Sequence, residues 1–149
     1  MRWIVLTGLI VMALAGALML YRQGEKAVAS QDWRRVQGTV TESLVDRRAA
    51  RSNERQWDYK AIIHYRYEVD GRPYAGTQRR FPEPGYSTTE APEAEIAARY
   101  PGGSPVWVYV NPANPAESVL ETGRHWTVWA GIGLALAVAL IAGYFLLHG

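Results

Sequence analysis

The feature that most constrains this chain is an uninterrupted apolar stretch, Trp126–Leu147, which contains no charged residue and no proline. About 20 helical residues cross the roughly 30 Å hydrocarbon core of a bilayer, so the stretch is long enough to span a membrane. Aromatic rings, which prefer the headgroup level, lie near both of its ends, at Trp126, Trp129 and Tyr144. The pattern predicts a transmembrane helix, to which we assign residues 123–148.

A second apolar run, Trp3–Leu20, follows the cationic start of the chain. It could be a signal peptide, because Ala27-Val28-Ala29 offers an A-x-A cleavage pattern. However, charged residues separate the run from that pattern, and the run is longer than the roughly 7–15 residues of a signal-peptide core. We therefore interpret it as an uncleaved transmembrane helix over 1–21, followed by a linker over 22–32.

The orientation of two such spans follows from the charges beside them. Basic residues flank the first span on both sides, and the segment between the spans exceeds the roughly 60 residues within which such charges report orientation. Because a charged N-terminal tail resists translocation, we expect the central domain to be extracytoplasmic.

Between the spans, residues 33–122 carry the signals of a small β domain. Apolar residues alternate with mostly charged ones from Trp57 to Val69, which is the period of a strand with one buried face. Asp70-Gly71 then predicts a tight hairpin turn. Other patterns predict a polar loop over 46–56, a short helix from Thr88 or Thr89 to about Arg99, and strands near 33–45, 72–81, 106–110 and 118–120.

These elements predict a membrane protein of the α+β class. Two transmembrane helices flank a small, mostly antiparallel β domain that contains one short helix. A partly closed barrel and a sandwich are both compatible with so few strands.

Four groups of residues, in this order along the chain, resemble the motifs of a bacterial family. They are Trp33-x-x-Val36-x-Gly38-x-Val40; Tyr65-x-Tyr67-x-Val69-x-Gly71-x-x-Tyr74-x-Gly76; Tyr100-Pro101-x-Gly103; and Val106-x-Val108 with Pro112-x-Asn114-Pro115-x-x-Ser118-x-Leu120. The family is the domain of unknown function numbered three-five-nine-two, whose members place a small β-rich domain between two membrane helices. The resemblance implies that fold and a multi-pass protein of the bacterial inner (cytoplasmic) membrane, but no activity. The chain departs from the family pattern at Val110-Asn111, where the pattern usually reads Tyr-Asp.

The residues that carry these motifs have structural explanations. Glycine within a strand marks a bulge or a close backbone approach, and glycine and proline at strand ends shape turns. We therefore interpret the following residues as structural rather than chemical: Trp33, Gly38, Gly71, Gly76, Gly103, Pro112 and Pro115.

Composition argues against several functional classes. A formal net charge of +2 is too weak a bias for a nucleic-acid-binding face. The absence of cysteine excludes disulfides and thiolate sites, and the three histidines lack the spacing of a zinc site. We predict no cofactor, no metal, no nucleic acid and no catalytic activity. The alternative is a membrane-bound hydrolase that uses a pair of carboxylates, drawn from Glu42, Asp46, Asp58, Glu68 and Asp70.

Four arginines cluster in the predicted loop: Arg47, Arg48, Arg51 and Arg55. They could form a surface for anionic lipid headgroups, where each basic group contributes about 1 kcal/mol, or for an acidic protein partner. The alternative is an ordinary solvated loop.

Small residues recur at every fourth position along the second span: Gly131, Ala135, Ala139 and Gly143. Such a face lets helices approach closely in lipid, so we predict that it packs against the first span or another membrane protein. Glycine and alanine are also common in membrane helices generally, which is the simpler explanation. The apolar runs Trp3–Leu20 and Trp126–Leu147 contain no acidic, basic or histidine residue, which argues against an ion path or a transport site.

Taken together, these features favour a membrane-anchored binding or accessory protein that acts through its juxtamembrane β domain. The expected partners are membrane lipids and a membrane or envelope protein. An immunity-type protein that neutralises an envelope-acting toxin is one alternative, and the hydrolase is the other.

Overall fold

The computed structural model describes residues 2–51, 53–123 and 126–148. An antiparallel β domain with one short helix lies between an N-terminal and a C-terminal helix, which confirms the prediction of an α+β chain. The elements are α1 (Arg2–Ala29), a 3-10 turn (Ser30–Asp32), β1 (Arg34–Ala50), β2 (Asn53–Val69), β3 (Arg72–Gly76), α2 (Glu90–Ala98), β4 (Pro105–Val110), β5 (Ser118–Val119) and α3 (Trp126–His148).

All five strands belong to one antiparallel sheet in the order β3-β2-β1-β4-β5, so the sandwich alternative is wrong. The sheet curls until the chain that leaves β3 meets the chain that leaves β5. There the backbone carbonyl of Arg79 accepts hydrogen bonds from the N–H groups of Leu120 (3.0 Å) and Glu121 (2.8 Å). A partly closed barrel therefore describes the domain.

The core of the barrel is centred on Tyr65, whose side chain is 1% exposed. Its hydroxyl lies 2.9 Å from the carbonyl oxygen of Gln78 and 3.1 Å from that of Ser118, so it bridges the two edges of the sheet. Burial raises the pKa of Tyr65 far above its usual value. The ring packs against the backbone of Gly76, where a Cβ atom would lie 2.6 Å from ring carbons.

The alternating pattern of β2 sets the buried face of the sheet. Every second residue from Ala61 to Val69 is buried, as the sequence pattern predicts. Trp57 lies on the same face but is 44% exposed, because the hairpin continues past the end of the core.

The prediction of a polar loop over 46–56 is wrong. β1 continues to Ala50 and β2 begins at Asn53, so these residues extend a long antiparallel hairpin. A register irregularity between Val40 and Glu42 shifts the alternation of β1, which is what a β-bulge does. Two cross-strand pairs in this segment join opposite charges, Asp46 with Lys60 and Arg48 with Asp58, and neither pair is visible from the sequence of one strand alone.

The linker predicted over 22–32 has regular structure. α1 continues to Ala29, and the 3-10 turn Ser30–Asp32 follows directly. Ala27 is 1% exposed because it packs against the β domain. The helix therefore continues beyond its apolar part, because its last turn packs against the β domain.

Of the two predicted spans, the first has the stronger support. Within the described residues, one helix is long and apolar enough to cross a membrane, and it covers Ile4–Asp32. α3 contributes a shorter apolar helix, Trp129–Phe145, which packs beside α1. The predicted spans also include Met1, Arg124 and His125, which lie outside the described residues.

Candidate functional site

The base of the β domain is fixed to the end of α1. Ala27 packs there with Phe81 and Val119, which are 5% and 0% exposed. The Lys26 ammonium donates a hydrogen bond to Glu117 Oε1 at 2.6 Å, and this bond lowers the pKa of Glu117 against the opposing effect of burial. The backbone N–H of Gly123 also donates to the carbonyl of Ala27 at 3.1 Å. Helix and domain therefore form one unit.

A polar cluster closes the barrel beside this base. Arg79 Nη1 contacts both carboxylate oxygens of Glu121, at 3.1 and 3.0 Å, and the Tyr100 hydroxyl donates to Glu121 Oε1 at 2.9 Å. Burial, together with the negative charge of Glu121, raises the pKa of Tyr100 to about 12. Burial and the neighbouring charge of Arg79 lower the pKa of Arg80. Every hydrogen-bonded group in this cluster holds two distant segments together, so the cluster is structural.

A second acid also has a structural role. Glu93 in α2 is 9% exposed, and its Oε2 accepts a hydrogen bond from the backbone N–H of Ala61 at 2.8 Å. This bond satisfies an amide on the outer edge of β2. Sequence analysis missed Glu93 and Glu121, because their partners lie about 30 to 40 residues away and no local pattern marks them.

The arginines of the predicted loop lie instead at the far end of the β1–β2 hairpin. Arg47 and Arg48 are in β1, Arg51 is in the turn and Arg55 is in β2, and all four are exposed. Because neighbouring strand residues point to opposite faces, Arg47 and Arg48 present one cation on each side of the hairpin.

Aromatic rings hold two of these guanidinium groups in place. Arg47 lies over the ring of Trp57 at 4.9 Å, and Arg48 lies over Tyr86 at 3.7 Å. Arg48 also makes a 4.0 Å ion pair with Asp58. A cavity of about 500 Å³ opens beside Trp57. We call these four arginines together with Trp57 the hairpin surface; it combines ordered cations, an exposed aromatic ring and a concavity.

The five carboxylates considered for hydrolysis lie in β1, in β2 and in the turn after β2. Asp58 pairs with Arg48, Asp70 pairs with Arg34 at 3.1 Å, and Asp46 accepts a hydrogen bond from the Tyr86 hydroxyl at 2.6 Å. The other two carboxylates, Glu42 and Glu68, are exposed, and Glu42 lies opposite His64 in the hairpin. Among residues 2–51, 53–123 and 126–148, no group of three or more acidic or histidine side chains is placed to hold a metal ion.

The residues interpreted as structural occupy packing and turn positions. At Gly38, a Cβ atom would lie 2.6 Å from the carbonyl oxygen of Arg66. Asp70 and Gly71 both have positive φ angles, 51° and 77°, as a type I′ hairpin turn requires. The other residues of this group also have structural roles. Trp33 packs edge-on against Phe81, and Gly76 packs against Tyr65. Gly103 adopts φ 82°, Pro112 lies in the turn between β4 and β5, and the carbonyl of Pro115 accepts a hydrogen bond from Tyr67.

The small residues of the second span lie on the less exposed side of α3. Gly131, Ala135, Ala139 and Gly143 are half-buried, and the adjacent Ala142 is 5% exposed. At Gly131 a Cβ atom would lie 2.8 Å from Leu20 Cδ1 of α1. The structure therefore brings this part of the face against the N-terminal helix.

The comparisons with known proteins concern the β domain. A family model described as "Domain of unknown function (DUF3592)" matches residues 36–125, which is more than half of the 149 residues. This range contains all five strands and α2 except for the first two residues of β1. No curated protein and no solved structure matches the chain significantly. The chain belongs to the DUF3592 family.

Proposed function

We propose that this chain is a membrane-anchored binding protein. α1 and α3 form a helical hairpin in the bilayer, and the hairpin surface of the β domain binds a partner protein. The observation that carries the proposal is the long β1–β2 hairpin, which starts at the fixed base of the domain and ends in exposed arginines and Trp57. We propose binding rather than hydrolysis because three of the five carboxylates considered for catalysis are engaged by Arg34, Arg48 or Tyr86.

The anchor is argued from the length of α1 and its junction with the domain. Its 28 residues extend about 42 Å at 1.5 Å per residue, whereas the hydrocarbon core takes about 30 Å. The remaining turns carry Arg22 and Lys26, and Lys26 bonds to the β domain. The domain would therefore lie directly against the headgroups.

Insertion of α3 beside α1 can be tested by cysteine labelling, because the chain contains no cysteine. Leu140 is 74% exposed in the protein alone, so a Leu140→Cys thiol would react rapidly in water. We expect a membrane-impermeant maleimide to leave this thiol unlabelled in intact membranes and to label it after solubilisation and unfolding.

The matched control is Arg51→Cys, in the exposed turn of the hairpin, which should react in open membranes. Rapid labelling of Leu140→Cys in the same membranes would show that α3 lies in water, and the two-span arrangement would be wrong.

A protein partner fits the hairpin surface better than the lipids of the anchoring membrane. Arg47 lies roughly 40 Å along β1 from Arg34, at about 3.3 Å per residue. Arg34 follows the end of α1 closely, so the arginines lie at the opposite end of the strand from the membrane helix. The potential of an anionic membrane surface decays within about 8 Å at physiological ionic strength. Arginine and tryptophan are also the residues most enriched at the energetic centres of protein interfaces.

Photo-crosslinking in native membranes tests this function. A photoreactive amino acid at Ala49, which is exposed beside Arg47 and Arg48, should yield a protein adduct of one discrete mass. The adduct should disappear when Arg47 and Arg48 are both changed to glutamate, because the charge complementarity is reversed.

The control places the same photoreactive group at Arg72, which is exposed at the start of β3, opposite the last residue of β2. Equal adducts from both positions, adducts that survive the charge reversal, or adducts with lipid alone would contradict a protein-binding role for the hairpin surface.

A further inference from the structure

The two outer edges of the β1–β2 hairpin differ in how far other segments of the chain hydrogen-bond to them. On the β2 side, Tyr59 and Ser87 exchange backbone hydrogen bonds of 2.7 and 2.8 Å. The next outward amide, that of Ala61, donates to the Glu93 carboxylate. The chain thus covers the β2 edge beyond the end of β3.

The register shows which groups lie on the opposite edge. Tyr59 pairs with Arg47, and Ala61 pairs with Val45. In an antiparallel pair, two residues directly opposite each other either bond to one another or both point outward. Because Tyr59 and Ala61 bond outward, the N–H and C=O groups of Arg47 and Val45 point outward from β1, and by alternation so do those of Ala49.

In the described part of the chain, β4 and α2 hydrogen-bond to β1 only before these groups are reached. β4 pairs with β1 only as far as Thr39, and Val40 bonds to Gly103 and Ser104. Beyond this point the Ser43 hydroxyl bonds to α2. Among the described residues, no backbone hydrogen bond from outside the hairpin reaches Val45, Arg47 or Ala49. We call these three residues the open edge.

We propose that the open edge binds an extended acidic segment of a partner protein, which joins the sheet as an additional strand beside β1. This inference rests on the proposed binding function and specifies how the hairpin surface recognises its partner. In strand addition, backbone hydrogen bonds supply affinity and the side chains of alternate residues supply specificity.

The charges beside the open edge indicate which kind of segment would bind there. A strand paired with β1 places side chains next to Arg47 on one face, where opposite charges stabilise cross-strand pairs. On the other face it meets Arg48, which is already paired with Asp58 and lies on the same face as Asp46. A second copy of this chain paired antiparallel about Arg47 would place the two Arg47 side chains beside each other, and like charges across strands are destabilising. Edge charges of this kind also discourage indiscriminate pairing. The favoured occupant therefore carries acidic residues on the face of Arg47, whose cross-strand neighbour in β2 is the uncharged Tyr59.

A peptide selection tests the proposal directly, because it does not require the partner to be identified. The probe is a displayed library of random 12-residue peptides, selected on the full chain in nanodiscs and counter-selected on empty nanodiscs. We expect enriched peptides to combine β-branched or aromatic residues with aspartate or glutamate at alternate positions, which place the acids on the face of Arg47. Their affinity should fall about tenfold or more on Ala49→Pro, because proline removes an outward N–H and blocks strand pairing.

The matched control is Ala49→Thr, which keeps the N–H group and should therefore bind the peptides more tightly than Ala49→Pro does. Because the amide of Ala49 points away from β2, Ala49→Pro removes no hydrogen bond of the hairpin itself. A second measurement is independent of any variant: N-methylation of alternate peptide residues should abolish binding in one of the two frames and preserve it in the other.

The outcomes separate this inference from the function on which it rests. Equal affinity for Ala49→Pro and Ala49→Thr, with both N-methylated frames active, would overturn strand addition, whereas adducts from Ala49 would still support protein binding. Enriched peptides without acidic residues, or with unchanged affinity for Arg47→Gln/Arg48→Gln, would overturn the acidic occupant. No enrichment over empty nanodiscs would overturn the inference as a whole.

Discussion

Replacing Gly38 with alanine should lower the free energy of unfolding of the β domain by about 3 kcal/mol, at the upper end of the usual cost of overpacking. Gly38 lies in β1 between β2 and β4. A Cβ atom there would lie 2.6 Å from the carbonyl oxygen of Arg66 and 2.8 Å from Val108 Cγ2. The first of these atoms is backbone in the neighbouring strand, so it cannot move without disturbing the sheet.

Thermal unfolding of the full chain in nanodiscs, followed by near-ultraviolet circular dichroism, measures this effect. One kcal/mol shifts Tm by about 4–8 °C for a domain of this size, so the variant should unfold more than about 10 °C earlier. Gly85→Ala is the control, because no atom lies within 4 Å of its Cβ position. Equal midpoints for both variants would show that β1, β2 and β4 do not approach as closely as described.

Glu121→Ala should destabilise the domain by about 2–3 kcal/mol. Breaking a fully buried ion pair costs about 3–5 kcal/mol, and the smaller figure applies because the side chains of Arg79 and Glu121 are 12% and 31% exposed. The substitution leaves Arg79 without its carboxylate and removes the acceptor of the Tyr100 hydroxyl. Arg34→Ala is the control: it breaks an ion pair with Asp70 in which the two side chains are 59% and 76% exposed, and such surface pairs contribute about 0–1 kcal/mol.

The pH dependence of unfolding provides a second measurement of the same variant. The pKa of Tyr100 is about 12 when folded, against 10.0 for an unperturbed tyrosine. A raised folded pKa contributes stability that is complete below about pH 10 and is lost as the pH rises towards about 12. Because Glu121 supplies part of this shift, Glu121→Ala should show a shallower alkaline loss than the wild type. An unchanged slope would contradict the contact between Tyr100 and Glu121.

The hairpin surface shows where sequence analysis succeeds and where it stops. The cluster of four arginines is visible in the sequence, but so charged a stretch predicts a loop. Its strand character depends on pairs such as Arg47 over Trp57 and Arg48 beside Asp58, which exist only once the register of the hairpin is set. The open edge is likewise invisible in the sequence, because it is defined by which outward amides other segments cover.

The sequence by itself determined the features that depend on a few neighbouring residues. Alternation identified the buried face of β2, Asp70-Gly71 identified the turn after it, and uninterrupted apolar runs identified both terminal helices. These signals are local because strand period, positive φ and helix length are properties of short segments.

Only the tertiary structure decided how the sheet closes and what holds it closed. The Tyr65 hydroxyl meets Ser118 across 53 residues, Arg79 meets Glu121 across 42, and Glu93 meets Ala61 across 32. The β-bulge after Val40 also changes which residues of β1 share a face. Such pairings depend on strand order, curvature and register, which emerge when all five strands assemble and leave no trace in the spacing of any one of them.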